Sequence, residues 1–245
     1  MEKLRAFNLC ILDPSATVDL TAELREGRVF LAYVSAVEVS PGSPAARAAL
    51  ARGVPQLSRN ANWGSDVLDV THRAWEAFLL EDVVAPALAK GYHGIFLDTL
   101  DSVERIAAQS KAKAEPAHRA ITHLIRRLHQ SHPEATLVIN RGFAWIPEIA
   151  GDIDGVLVEG LYQGWNPATK QYLAVSPHDS AWLLARIRSI QARKLPVMVL
   201  DYVSPDQPDL ARQTAARIAG LGCIPLVSTP ELNGRVLAPP VGGNH

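Results

Sequence analysis

Apolar runs of strand length alternate along this chain with stripes of helical spacing, and that alternation restricts the fold more than any other feature. The runs lie at 7–12, 29–37, 65–70, 94–97, 136–140, 155–158, 197–200 and 223–227. Between several of them apolar residues recur every three or four positions. Trp75, Phe78, Leu79, Val83 and Leu88 form one stripe, and Ala117, Ile121, Leu124, Ile125 and Leu128 a second. Ala181, Leu184, Ile187 and Ile190 form a third, and Leu210, Thr214, Ile218 and Leu221 a fourth. Pro116 and Pro177 are expected in first turns, where a missing N–H costs nothing. Gly222 closes the last helix, and Pro86 should bend or shorten the first. Eight such strand–helix units in a single domain over 1–245 predict an α/β fold, a (β/α)8 TIM barrel. An open doubly wound sheet is the alternative, but no Gly-x-Gly-x-x-Gly follows the first run to give it a dinucleotide site. The third unit is the least regular: its strand is short, carries two aspartates, and follows a long connection at 41–64 that holds an Ala-rich helix at 44–52.

Two runs stand apart. Gly94-Ile95-Phe96-Leu97-Asp98 and Gly155-Val156-Leu157-Val158-Glu159 are each opened by glycine and closed by an acid. An unbroken apolar run reads as a strand buried on both faces of a parallel sheet, and its last residue is delivered to the rim where α/β proteins keep their chemistry. Two acids delivered in this way can act as the acid/base or acid/nucleophile pair of a glycoside hydrolase. Other polar groups fall at strand ends too: Asp13, then Tyr33, Ser35 and Glu38, then Asp101 one turn past Asp98. Asn140 and Arg141, Tyr162, Asp201 and Tyr202, and Ser228 complete the set. The competing reading is that an Asp after a strand caps the next helix, and Asp13 before Pro14 suits a turn equally well. Glutamate is a poor N-cap, so that reading weakens for Glu159. Trp63, Trp145, Trp165 and Tyr162 fall in connections after strands, where they can stack on sugars or simply cover the top of a barrel. Trp75 and Trp182 fall in helices and read as packing residues.

Composition excludes several classes. With 24 basic and 25 acidic residues the formal charge is −1, which offers no electrostatic reason to bind nucleic acid or an anionic membrane. No apolar stretch reaches 18 residues, so no membrane span is expected. None of the eight histidines ends a strand, as a His-x-His metal site would require, and no lysine lies in a strand for Schiff-base chemistry. The turns after the last two strands lack the glycines of a phosphate site. What remains is carboxylate chemistry without metal or phosphate. Cys10 and Cys223 lie in the first and last runs. These strands are neighbours in a closed barrel, so a disulfide is conceivable, but buried thiols are the simpler reading. Residues 1–5 reach the first run without a hydrophobic signal region, which fits a cytosolic protein or one whose leader has been removed. A monomer is expected.

Five segments together resemble a known family. They are Leu31-Ala32-Tyr33-Val34-Ser35 with Glu38, Gly94 through Asp101, Asn140-Arg141-Gly142-Phe143, Val158-Glu159-Gly160-Leu161-Tyr162 and Leu200-Asp201-Tyr202. They look like the endo-α-1,4-polygalactosaminidases of glycoside hydrolase family 114, and closer still like the related hydrolase domain of the Pel exopolysaccharide protein. The resemblance spans residues 7–230. It implies a barrel that cleaves an α-1,4-linked, galactosamine-rich exopolysaccharide internally, without a cofactor. The family's catalytic pair maps onto Asp98 and Glu159, with Asp101 a rival for the first role. Retention of configuration is expected, with inversion still open. Relatives are often exported, which implies a periplasmic or secreted protein. Partly deacetylated galactosamine polymers are cationic, and Asp13, Glu38, Asp98, Asp101, Glu159 and Asp201 on one rim would make it locally negative. A non-catalytic barrel that binds such a polysaccharide is the alternative.

Overall fold

A computed structural model describes residues 7–16, 20, 27–109 and 111–238, with side chains for all of these except 105–109 and 111–113. The chain divides into two compact units, Met1–Asp154 and Gly155–His245. The strands of the first unit are β1 (Leu9–Leu12), β2 (Val29–Ser35), β3 (Glu38–Val39), β4 (Gln56–Asn60), β5 (Ser65–Leu68), β6 (Gly94–Asp98) and β7 (Thr136–Asn140). Four of them form a parallel sheet in which β2 pairs with both β1 and β6, and β6 pairs with β7. Long sequence intervals separate these parallel neighbours, and helices occupy those between β2 and β6 and between β6 and β7. The buried Phe30, Leu31, Ile95, Leu97, Val138 and Ile139 of the strands carry the unit's core, together with Phe78, Leu79, Ile121, Leu124 and Ile125 of the helices. Each such side chain contributes about 1.5–3 kcal/mol on leaving water.

The two-face burial read from 94–97 is observed, since every residue of β6 but the terminal Asp98 is buried. Glycine at 94 has a packing cause. A Cβ there would lie 1.9 Å from the backbone oxygen of Thr136 on β7, so only a residue without one lets the two strands approach.

The third strand–helix unit departs from expectation. Ser65–Leu68 does not join the parallel sheet, and β2 pairs directly with β6. Instead β5 lies antiparallel between β3 and β4 in a separate three-stranded sheet. The sequence explains this: β4 reads Gln-Leu-Ser-Arg-Asn and is half-exposed throughout, which suits a sheet with one wet face rather than a doubly covered one. Helix boundaries moved as well. The helix carrying the second stripe begins at Lys111, so Pro116 lies inside it rather than in its first turn. The helix is not shortened at Pro86: it continues through it as Ala85–Ala89, after a π-helical stretch, Phe78–Val84, at whose end the Ala85 N–H reaches Leu80 O instead of the usual partner.

The second unit holds β8 (Gly155–Glu159), β9 (Gln163–Asn166), β10 (Gln171–Ala174), β11 (Val197–Tyr202) and β12 (Ile224–Ser228). Strands β8, β11 and β12 are parallel neighbours. β9 and β10 form an antiparallel hairpin directly after Glu159, which the sequence did not announce. Helix Pro177–Gln191 opens with Ser176 accepting the Asp179 N–H at 3.1 Å, and buries Leu183, Ile187 and Ile190. Helix Pro208–Ala219 buries Thr214 and Ile218 as expected. Trp75 is fully buried, but Trp182 is 45% exposed, with the Arg186 guanidinium 5.0 Å from its ring centroid, so it is not a packing residue. Cys10 and Cys223 are both buried and not joined by a disulfide, and burial pushes the Cys223 thiol up. Among the described residues no helix is long and apolar enough to cross a membrane.

Candidate active site

In the first unit, Asp98 closes β6 half-buried, and three donors converge on its carboxylate. Tyr33 Oη donates to Oδ2 at 2.7 Å, Asn140 Nδ2 to Oδ1 at 2.8 Å, and the Thr99 N–H to Oδ1 at 2.7 Å. Tyr33 lies on β2 and Asn140 ends β7, the two strands that flank β6, so the sheet itself assembles the set. Thr99 adopts φ 68°, a left-handed conformation that a β-branched residue rarely takes. That strain aims its N–H at Asp98 while its hydroxyl meets Ser35 Oγ at 2.9 Å and accepts the Val37 N–H at 3.1 Å. Thr99 was not among the residues singled out from sequence, and nothing in the Leu-Asp-Thr-Leu-Asp string marks it.

Asp101 does not share this position. The next helix starts at Leu100 and places Asp101 in its first turn, where an acid meets the positive end of the helix dipole. Asp13 is exposed and closes a local turn by accepting the Ser15 N–H at 2.7 Å and the Ser15 hydroxyl at 2.6 Å. Glu38 is buried, accepting from Asn60 Nδ2 at 3.0 and 3.3 Å and from the hydroxyls of Ser65 and Ser102. With this environment it presents no open carboxylate to a sugar. Ser35 is occupied with Thr99 and the Glu38 N–H. Arg141 and Gly142, at φ 55° and 56°, turn the chain left-handed after Asn140. Trp145 is buried, its ring stacked on His118 at 5.4 Å and its Nε1 donating to His118 O at 3.0 Å, so it covers no cleft mouth.

In the second unit, Glu159 closes β8 half-buried, and Tyr202 Oη donates to its Oε2 at 2.6 Å from the neighbouring strand β11. Asp201, adjacent in sequence to Tyr202, is fully buried and faces the other way. It accepts the backbone N–H groups of Leu161 at 2.6 Å, Tyr162 at 2.8 Å and Gln163 at 2.9 Å. Burial pushes its carboxyl above the ordinary carboxylate range, opposed by those N–H groups and by Arg217. Asp201 therefore shapes the turn that follows Glu159, with Gly160 at φ 67° as its left-handed corner. Tyr162 is buried under the Arg217 guanidinium, 3.6 Å from its ring centroid. Arg217, a helix residue 55 positions on, had no signal in sequence. Trp165 packs edge-on against Tyr172 at 4.8 Å across the β9–β10 hairpin.

The residues thus sort by environment. Tyr33 and Asn140 gather on Asp98, and Tyr202 on Glu159. Glu38, Ser35, Asp201 and Tyr162 are occupied inside the protein. Among the described residues no cluster of three or more His, Cys, Asp or Glu could hold a metal ion.

Residues 3–241 match the model of glycoside-hydrolase family GH114. The chain belongs to that family. It is an α/β glycoside hydrolase of the (β/α)8 class. The glycoside hydrolase domain of PelA from Pseudomonas aeruginosa is similar in structure, with 34% identity and a TM-score of 0.83 over 95% of this chain and 91% of that one. Aspergillus fumigatus Ega3, solved in complex with galactosamine, shares the fold at 13% identity, with a TM-score of 0.67 over 94% of this chain and 86% of that one. An uncharacterised Deinococcus radiodurans protein is 26% identical over 249 residues, covering 96% of this chain and 77% of that protein.

Proposed function

We propose that this GH114 protein is an endo-acting glycosidase that cleaves internal α-1,4 linkages of a galactosamine-rich, partly deacetylated polysaccharide, with Asp98 and Glu159 as its catalytic pair. One observation carries the reading. Each acid is the last residue of a parallel strand, and each is oriented by a tyrosine hydroxyl from the neighbouring strand. Strand C-terminal ends are where barrels of this class keep their active sites. The galactosamine held by Ega3 supports the amino-sugar substrate, and the similarity to the PelA glycoside hydrolase domain supports hydrolysis.

Asp98 is the nucleophile in this mechanism. Its three donors leave a carboxylate fixed in direction, suited to attack on the anomeric carbon through an oxocarbenium-like transition state. Glu159 protonates the departing glycosidic oxygen, so the C–O bond breaks as the glycosyl ester on Asp98 forms. Glu159, now ionised, takes a proton from water, whose oxygen displaces Asp98 from the anomeric carbon. Configuration is retained after two inversions. Substrate charge preference rests on Asp98, Asp101 and Glu159, because Glu38 and Asp201 are occupied internally. The Asp101 position in a helix first turn favours Asp98 for the nucleophile.

The test is incubation with partly deacetylated poly-α-1,4-galactosamine, followed by reducing-end release and the anomeric configuration of the first product. Release of α-anomer and of oligosaccharides of mixed length is expected. Binding without release would favour the non-catalytic barrel. In a crystal structure, carboxyl groups about 5–5.5 Å apart fit retention and about 6.5–9.5 Å fit inversion.

A further inference from the structure

Trp63 is 71% exposed at the tip of the β4–β5 hairpin, while the hairpin's base is unusually well anchored. Asn60 and Ser65 are the paired residues that close the four-residue connection, and the Gly64 N–H donates to Asn60 O at 2.8 Å. Both side chains donate to the buried Glu38 carboxylate. Glu38 also accepts from Ser102, three residues past Thr99, and its own N–H donates to Ser35 Oγ at 3.2 Å. Ser35 in turn meets Thr99, whose N–H holds Asp98. A continuous hydrogen-bonded path thus runs from the two ends of the Trp63 loop, through one buried acid, to the carboxylate proposed as nucleophile.

A buried carboxylate is costly unless fully satisfied, so Glu38 has a reason to be there. Holding a hairpin fixed matters only if something at its tip must be fixed. A large aromatic left in water on a rigid tip is what a ligand with an apolar face requires. We propose that Trp63 is a stacking platform for a hexosamine ring of the polymer remote from the cleaved bond, and that Glu38 is the positioning residue that sets its place relative to Asp98. This rests on the polysaccharide hydrolase reading above. A galacto-configured ring suits the site, because its axial 4-hydroxyl leaves only C–H groups at C3, C4 and C5 on the opposite face, where the axial oxygen of an α-linkage stands at C1 alone. Recognition here is through that face and not through charge. Arg59 Nη2 donates to Gly64 O at 3.4 Å, and Arg59 pairs across the hairpin with Asp66, so the hairpin carries one charge of each sign. Stacking at Trp63 is therefore less sensitive to N-acetylation and to salt than recognition by the acids.

The experiment compares wild type, Trp63→Ala, Trp63→Phe and Asn60→Ala on a galactosamine polymer and on a ladder of its oligosaccharides. Trp63→Ala is expected to raise KM for the polymer about tenfold with kcat within about twofold, and the defect should shrink as the oligosaccharide shortens. Trp63→Phe should recover most of the loss. Asn60→Ala, which loosens the loop without touching the indole, should raise KM about threefold in the same length-dependent way. A polymer KM equal to wild type in Trp63→Ala overturns the platform, and one equal to wild type in Asn60→Ala overturns the positioning role. If wild type binds the polymer without cleaving it, the hydrolytic reading fails, and the same comparison is made on binding affinity. A tenfold loss in Trp63→Ala then supports the platform, and equal affinity overturns it. A wild type that neither binds nor cleaves overturns both.

Discussion

Tyr202 donates its phenolic hydrogen to Oε2 of Glu159 at 2.6 Å. On the parallel pair β8–β11, Leu200 stands beside Glu159, so the tyrosine reaches back from two residues further along its strand. Tyr33 does the same for Asp98 at 2.7 Å from two residues earlier, since Ser35 stands beside Asp98 on β2–β6. Removing one hydroxyl should cost the orientation of its acid and little else. Tyr202→Phe is expected to lower kcat about 10- to 100-fold, the equivalent of the ~1.5–3 kcal/mol of a hydrogen bond to a charged group. Initial rates of reducing-end release check this, with a melting temperature close to wild type showing that the fold is intact.

Asp98 and Asp101 make opposite predictions. Asp98→Asn should reduce turnover by about 10³-fold or more, as loss of a nucleophile does in other covalent enzymes. Asp101→Asn should retain activity within about tenfold and lose roughly 0.3–1 kcal/mol of stability, the contribution of an acid in a helix first turn. Parallel kinetics and chemical denaturation separate them. An Asp101→Asn enzyme as inactive as Asp98→Asn would transfer the nucleophile's role.

Asp201 gives a pH signature. Its carboxyl is raised in the folded protein, chiefly by burial, so folding favours the protonated form. That contribution is fully present below the ordinary carboxylate pKa and is lost as pH rises through the raised value. Asp201→Asn removes it. The amide also turns an N–H₂ toward backbone N–H donors that now share two carboxylate oxygens, which should cost about 1–3 kcal/mol. Urea unfolding from acid to neutral pH should show the stability gap between wild type and variant widest at the acid end.

Gly94→Ala tests the packing of the sheet. The added methyl would meet the Thr136 backbone at 1.9 Å, and backbone cannot rotate aside as a side chain can. A loss of about 3 kcal/mol or more is expected, read as poor soluble yield or a greatly lowered denaturation midpoint. A variant as stable as wild type would mean that β6 and β7 are spaced more widely than described.

The sequence by itself determined the parallel strands and the acids that end them, because that information is local. A run such as 94–97 has no polar position to expose, and its last residue is wherever the apolar run stops. It also marked the first turn at Pro177, which acts within a few residues of itself. Only the tertiary structure decided what each acid does. Glu38 and Asp98 are both carboxylates on strands of the first unit, yet one is enclosed by Asn60, Ser65 and Ser102 and the other is held at the rim by Tyr33 and Asn140. Asp201 and Glu159 differ in the same way, by which donors reach them from about 40 positions away. The antiparallel pairing of Ser65–Leu68 with Glu38–Val39 and the burial of Trp145 on His118 are likewise set by partners distant in sequence. A side chain's role follows from the groups that desolvate and hydrogen-bond it, and those are chosen when distant segments pack, not by spacing along the sequence.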